Sequence, residues 1–472
     1  MSTNFLHGVE TIEIESGLVV VNEVKTAVIG IVGIAPQGEK NKLILVRNSQ
    51  DAAKFGDVLP GFNIPASLGH ILAQGAGTII VVNVFDETAH TTNVVSESKT
   101  VADGKIKLAF APIGPVTLTK ADDSASEYAL DTDYSIDPFG AFQVIKGRIP
   151  DNTTIKFSYK KLNASAITES VINGSVAGSG ARTGIKCFDL AFNLFGFVPK
   201  ILISPGYSAI AGVASGLLEM AAKLRAVVPL DGTYNMSVQD ALAARGSASA
   251  SNFNTADERA ILLFPFLKAY DKATDSDQVD FPFSAFYAGV MAATDRLLGY
   301  WYSPSNKPIL GITGLEKQIS ASLNDDTADT NTLNAAGITT VFNSFGTGFL
   351  AWGNRNASFP TSTSPKNFIS LRRIADVVHE SLELACMQFN DRPINRALVD
   401  DIRQTGNNFI AVLIGRGALL EGSRVVFNKA QNPDSDLANG KVVFELDFMG
   451  ATPAERITFL SKLDLSLYSS LK

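Results

Sequence analysis

Cysteine and histidine are scarce in this chain of 472 residues, which holds two cysteines (Cys187 and Cys386) and four histidines (His7, His70, His90 and His379). Two isolated thiols make neither a disulfide framework nor a metal cage, and their sequence contexts predict core positions in a protein made in a reducing cytoplasm. With so few imidazoles, a histidine-based metal site is not expected either. Charge is sparse as well, at 18% of residues, and the net value of -7 lacks the basic excess that phosphate backbones require. No direct contact with nucleic acid is therefore expected. Long apolar runs are missing too. The most continuous, residues 27–35, is about half of what a membrane-spanning helix needs. The opening residues run into Glu10, Glu13 and Glu15, the reverse of a signal peptide's basic-then-apolar order. A soluble protein with no membrane insertion is the expectation.

What the chain does have is 46% hydrophobic residues, enough for sizeable cores in about two to four domains. Residues 9–21 alternate, with Val9 on one side and Ile12 and Ile14 on the other, which predicts strand. Residues 27–32 and 78–84 are continuous apolar runs, as in strands covered on both faces. Between them, residues 49–55 predict a short helix capped by Ser49 and closed by Gly56. From residue 87 to 181 the helical pattern disappears. Short alternating stretches separated by Asp103-Gly104, Phe139-Gly140 and Pro150-Asp151 predict a small inserted β domain. Strand, helix and strand then return at 200–205, 208–225 and 226–230, one βαβ unit. A further strand and helix follow at 259–266 and 284–298. Near the end, Leu371, Ile374, Val378, Leu382, Ala385 and Phe389 form one apolar helical stripe, a second helix is expected over 396–413, and two alternating strands close the chain. Val442, Phe444, Leu446 and Phe448 share a face in the first, and Ile457, Phe459, Leu463, Leu465 and Leu467 in the second.

The predicted fold class is therefore multidomain, α/β and α+β. An α/β core (24–86 and 182–365) carries an inserted β domain (87–181), and a C-terminal α+β module (366–450) follows. Extended strands flank them at residues 1–23 and 451–472. Terminal strands of this kind need a partner edge, in their own sheet or in another molecule.

Signals of chemistry are incomplete wherever they occur. Residues 33–38 have the glycines of a phosphate loop, but Glu39 stands where its lysine belongs and would repel a γ-phosphate. His379-Glu380-Ser381-Leu382-Glu383 begins like a zinc-protease helix and lacks the second histidine. Gly206-Tyr207-Ser208-Ala209-Ile210 resembles a nucleophile elbow whose closing glycine is replaced by Ile210, so Ser208 is read as a helix cap. Asp131, Asp133 and Asp137 are spaced loosely like a calcium loop interrupted by Pro138 and Phe139, and are read as turn residues. Catalytic residues, metal sites and cofactors are accordingly all assigned as none.

Several phrases resemble the contractile tail sheath family of phages and R-type bacteriocins. They are Phe5-Leu6-His7-Gly8-Val9-Glu10, Val24-Lys25-Thr26-Ala27 leading to Ala35-Pro36, Ala293-Thr294-Asp295, and Gly299-Tyr300-Trp301 with Ser303-Pro304-Ser305-Asn306-Lys307. Leu333-Asn334, Gly337-Ile338, Trp352-Gly353-Asn354-Arg355 and Pro453-Ala454-Glu455 continue the series in the family's order. The resemblance implies a structural subunit that polymerises around a tail tube and contracts to drive the tube through a cell envelope. Its partners would be further copies of itself, the tube protein, and baseplate and tail terminator proteins, in a virion tail or a tailocin particle assembled in the host cytoplasm. The terminal strands, carrying Val9, Ile12, Ile14, Ile457, Phe459, Leu463, Leu465 and Leu467, would be arms that join sheets in neighbouring subunits. The C-terminal module would face the tube and offer Arg372, Arg373, Asp376, His379, Glu380 and Glu383 to it. Two rivals are an α/β enzyme, encouraged only by the βαβ unit around Ser208, and another self-assembling protein such as a capsid or surface-layer subunit.

Overall fold

The computed structural model describes residues 23–471 apart from 123, 126, 127 and 146. The chain divides into two compact units: Lys25–Asp376 with Thr452–Lys472, and Val377–Ala451 together with Glu23 and Val24.

The larger unit is organised by a parallel sheet. Its central strands run in the order Ile79–Asn83, Ile29–Gly33, Ile201–Ile203, Val228–Asp231, Ala260–Leu263 and Ile338–Ser344, with a bridge between Ile201 and Val227 joining the third to the fourth. Antiparallel strands close both ends: Leu43–Val46 beside Ile79–Asn83, and Gly348–Trp352 and then Lys307–Pro308 beyond Ile338–Ser344. The side-chain period of two sends alternate residues into two cores. Val32, Ile80, Val82, Leu202, Val228 and Leu262 enter one, which the helix Ala211–Leu224 covers with Val213, Leu217 and Met220. Ile29, Ile31, Ile79, Val81, Ile201 and Ile261 enter the other, under the helices Ile64–Ala73 and Phe283–Leu297. Burial on both faces is why these strands read as unbroken apolar runs.

Between Ile79–Asn83 and Ile201–Ile203 the chain forms two antiparallel three-stranded sheets. Thr91–Thr100, Thr154–Leu162 and Ile113–Lys120 make one, and Lys105–Lys107, Ala141–Val144 and Tyr134–Ile136 the other. They share a core of their own that includes Ile106, Tyr134, Phe142, Phe157 and Tyr159.

The smaller unit contains the second half of the helix Ile369–Cys386, the helix Arg396–Gly415, and an antiparallel pair, Arg424–Val426 with Glu445–Asp447. Gly406 lets the pair lie against the second helix, because a Cβ there would stand 2.8 Å from Val425 Cγ2.

Some local readings need correction. Asn48, not Ser49, caps the first helix, its side chain accepting from the Asp51 amide, and only Ser49–Ala52 is α-helical before a 3-10 turn over Ala53–Phe55. The strand expected over Val442, Phe444, Leu446 and Phe448 shortens to Glu445–Asp447. Residues 457–464, which alternate like a strand, pair with no strand among the described residues, and Leu465–Leu471 is a 3-10 helix. Val9, Ile12 and Ile14 lie outside the described residues.

Candidate assembly site

Among the described residues, the C-terminal segment carries the largest run of exposed apolar side chains. Phe459 is 88% exposed, Leu460 96% and Leu463 95%, and Ile457, Leu465, Leu467 and Tyr468 are also mostly in solvent. A side chain of this size is stabilised by about 1.5–3 kcal/mol when it is buried. Contiguous exposure on this scale is uncommon on a soluble protein's surface.

At its root the segment is held. Glu455 receives Arg355 in a two-point ion pair, Nε to Oε1 at 3.0 Å and Nη2 to Oε2 at 2.5 Å. The same guanidinium lies over the rings of Phe368 (3.5 Å to the centroid) and Phe359 (4.7 Å), and its Nη1 donates to Asn367 Oδ1. A planar cation with aromatic faces above it and a fork of donors at its end has one direction left for a carboxylate. Beyond Glu455 the next nine residues are all exposed.

The two-stranded sheet of the smaller unit offers a second feature. Val425 donates its amide to Asn407 Oδ1 at 2.8 Å, and its carbonyl accepts from Asn407 Nδ2 at 2.9 Å. Val425 therefore faces away from its partner Leu446, which makes the two a non-hydrogen-bonded pair of the antiparallel ladder. Asn407 closes the sheet on the Val425 side. The main-chain groups of Leu446 point to the opposite edge, where they meet no partner among the described residues.

The polar residues assigned to a partner are distributed differently from expectation. Arg372, Arg373 and Asp376 are about 5% exposed, and their charges are used within the chain. Asp376 accepts from Arg259 at 2.7 and 2.9 Å and from Arg372 at 2.8 and 3.3 Å. Arg372 also pairs with Glu258, and Arg373 grips Asp295, with Nη1 2.7 Å from Oδ1. Offering these three to a tube is corrected accordingly: the start of the helix is buried on its polar face too, by ion pairing. His379 and Glu380 are half-buried, the His379 ring 5.6 Å from that of Phe448, while Glu383 is exposed.

Ser208 is also corrected. The helix after it is capped at Ile210, and the Ser208 hydroxyl donates instead to Asp231 Oδ2 at 3.0 Å. Asp231 is fully buried and also accepts from the amide and hydroxyl of Ser284, at 2.7 and 2.6 Å. Burial pushes this carboxyl above the usual range, against those hydrogen bonds. Histidine is not part of the cluster, so it has the geometry of a latch between the end of one strand, the turn that follows another and the start of the helix Phe283–Leu297. Cys187 is buried, its thiol pushed up to about 11 by desolvation, and Cys386 is half-buried. Among the described residues no group of three or more His, Cys, Asp or Glu is placed to hold a metal ion.

Comparison with known proteins gives a consistent result. Residues 180–357 match the central domain of phage tail sheath proteins. Over its whole length the chain is 40% identical to the tail sheath protein of Burkholderia phage BcepMu, covering 99% of it. It is 24% identical to the tail sheath protein of Escherichia phage P2, over 98% of this chain and 96% of that one. Among solved structures, the sheath complex of an extracellular contractile injection system (PVC) in its contracted state superimposes with a TM-score of 0.60 at 16% identity, over 99% of both chains. The contracted helical sheath of the anti-feeding prophage also gives 0.60, at 15% identity, over 98% of this chain and all of the other.

Proposed function

The chain belongs to the contractile tail sheath family, and from that premise we propose how this structural subunit assembles and moves. It polymerises helically around a tail tube. Its two terminal segments act as arms, each adding a strand to a sheet in a neighbouring subunit. The observation that carries this reading is the exposure of Ile457, Phe459, Leu463, Leu465 and Leu467 on a segment whose alternation suits a strand. A suitable acceptor is the Glu445–Asp447 edge, open at Leu446 and closed on its other side by Asn407. Each added main-chain hydrogen bond contributes about 1 kcal/mol net, and the apolar side chains add their burial.

The arms keep subunits connected while the compact units turn as rigid bodies, so the lattice passes from an extended to a contracted state. New contacts between outer domains, the inserted β domain among them, supply the free energy. A few kcal/mol per subunit suffices because many subunits act together. Residues 366–450 form the tube-facing module, with His379, Glu380 and Glu383 on the face toward the tube. Baseplate and terminator proteins bound the polymer, which drives the tube through an envelope, and assembly takes place in the host cytoplasm. The subunit performs no catalysis, needs no cofactor and touches neither nucleic acid nor the membrane interior.

Electron microscopy of the purified chain, alone and with tube protein, tests this reading. Hollow tubes of helically arranged subunits support it. Closed shells, flat arrays or a small closed oligomer contradict it.

A further inference from the structure

We propose that Arg355 and Glu455 form a clasp within one chain that sets where, and in which direction, the C-terminal arm leaves its subunit. The proposal rests on the arm reading above and adds a positioning residue to it. Two short phrases a hundred residues apart, Trp352-Gly353-Asn354-Arg355 and Pro453-Ala454-Glu455, meet in the fold. Arg355 is held on every side before the carboxylate arrives: Phe368 and Phe359 lie against its guanidinium, Asn367 accepts from Nη1, and a bridge pairs Arg355 with Phe368. Asn367 is itself fixed, its Nδ2 donating to the Ser362 carbonyl at 3.0 Å. The arginine side chain is 17% exposed and the glutamate 44%. A pre-formed, largely buried receptor thus holds one partly exposed carboxylate.

The geometry determines what the arm can reach. A free chain from Ala451 onward would search a sphere of possible neighbours. With Glu455 fixed, only the residues from 456 to 472 search, and at ~3.3 Å per residue they extend about 55 Å from a defined point. Fixing the root raises the effective concentration of the arm at one neighbour's edge and lowers it at all others. The ion pair contributes little to the subunit's own stability, because half of it faces solvent. Its effect is on which neighbour is joined.

Reversing charges in the full-length chain tests this. Glu455→Arg and Arg355→Glu are each made singly, then together, and the two single variants are also mixed. Polymer is measured by sedimentation and microscopy, and folding by the melting temperature of the unassembled subunit. Each single variant is expected to give about tenfold less polymer at equal protein concentration. The double variant, which restores the pair in reverse, should recover to within about twofold of the original. The mixture should not recover, because each chain must carry both halves of its own clasp.

Recovery in the mixture would overturn the proposal by showing that Glu455 pairs with Arg355 of another chain. Normal polymerisation of the single variants, or a double variant that folds and still fails to assemble, would overturn it too. Arg355→Glu disturbs a packed site, so Glu455→Gln, on the more exposed side, serves as a second variant that is not expected to alter melting. Glu455→Gln assembling as the original would also count against the clasp. The arm reading fails separately, if a chain ending at Glu455 polymerises normally.

Discussion

Arg259 and Asp376 are separated by 117 residues in sequence and meet as a two-point ion pair, Nη1 to Oδ2 at 2.7 Å and Nη2 to Oδ1 at 2.9 Å. Arg372, one helical turn before Asp376, binds the same carboxylate from the other side. One buried carboxylate thus receives two guanidinium groups, and Glu258 balances the second. Removing one partner of such a group leaves a charge buried without its counterion.

Asp376→Ala is therefore expected to lower the stability of the larger unit by about 3–5 kcal/mol. Reversal of Arg372 and Arg373 to Glu should likewise lower the melting temperature, rather than weaken tube binding in an otherwise normal subunit. Thermal and urea unfolding check both. An unchanged melting temperature with lost tube binding would return these arginines to a partner-facing role.

Asp231 gives a pH dependence of stability with a definite sign. Its carboxyl is held above the ordinary value by burial, so between the unfolded and folded values the native state binds the extra proton. The stability it contributes is present at acid pH and falls as pH rises through that window. Asp231→Asn keeps most of the hydrogen bonds without the charge. It should gain stability relative to the original chain as pH rises from about 4. Asp231→Ala, which strands the Ser208 and Ser284 hydroxyls, should cost about 1–3 kcal/mol at acid pH, and the cost should shrink as pH rises. Melting curves of the three proteins across pH decide it.

His70 acts in the opposite direction. Its ring is stacked on Phe286 at 4.2 Å and edge-on to Phe281 at 4.6 Å, and desolvation lowers its pKa from 6.5 to about 4. The unfolded chain takes up the proton first. The contribution is fully present above pH 6.5 and is lost as pH falls toward 4. His70→Phe retains the aromatic packing and should flatten this acid limb, measured as the difference in melting temperature between the two proteins from pH 7 to 4.5. Parallel curves would contradict the assignment.

Gly406 and Asn407 test the acceptor sheet. Gly406→Val places a branched side chain where even a Cβ lies 2.8 Å from Val425, and should displace the strand pair from its helix. Asn407→Ala leaves the Val425 amide and carbonyl open and makes a second edge available for strand addition. The first variant should abolish tubes while the larger unit melts as before. The second should yield irregular, branched or aggregated polymer, seen by microscopy.

Much of the fold is legible in sequence because its strongest signals are local. Ile29–Gly33 and Ile79–Asn83 are unbroken apolar runs since both faces of their sheet are covered. The stripe from Leu371 onward announces the helix Ile369–Cys386 by its period. What the sequence conceals is pairing over distance. Arg372, Arg373 and Asp376 look like a solvated helix face, because periodicity counts apolar residues and is blind to a face buried by ion pairs. Ser208 looks like a cap since its partner Asp231 lies 23 residues ahead, outside any local window. The Trp-Gly-Asn-Arg and Pro-Ala-Glu phrases both stand out in the sequence, yet nothing in either says that Arg355 and Glu455 meet. Asn48 is missed as a cap because Ser49, equally suited by type, stands next to it.

The central claim, that the ends of the chain join subunits and do not build their own, is tested most directly by removing them. The chain is purified without residues 453–472, and separately without residues 2–16, and each product is assayed for melting and for tubes. The account predicts folded monomers with near-native melting temperature and no tubes in both cases. Tubes formed normally by both truncated chains would contradict it, and unfolding of either would show that its strand belongs to its own subunit's core.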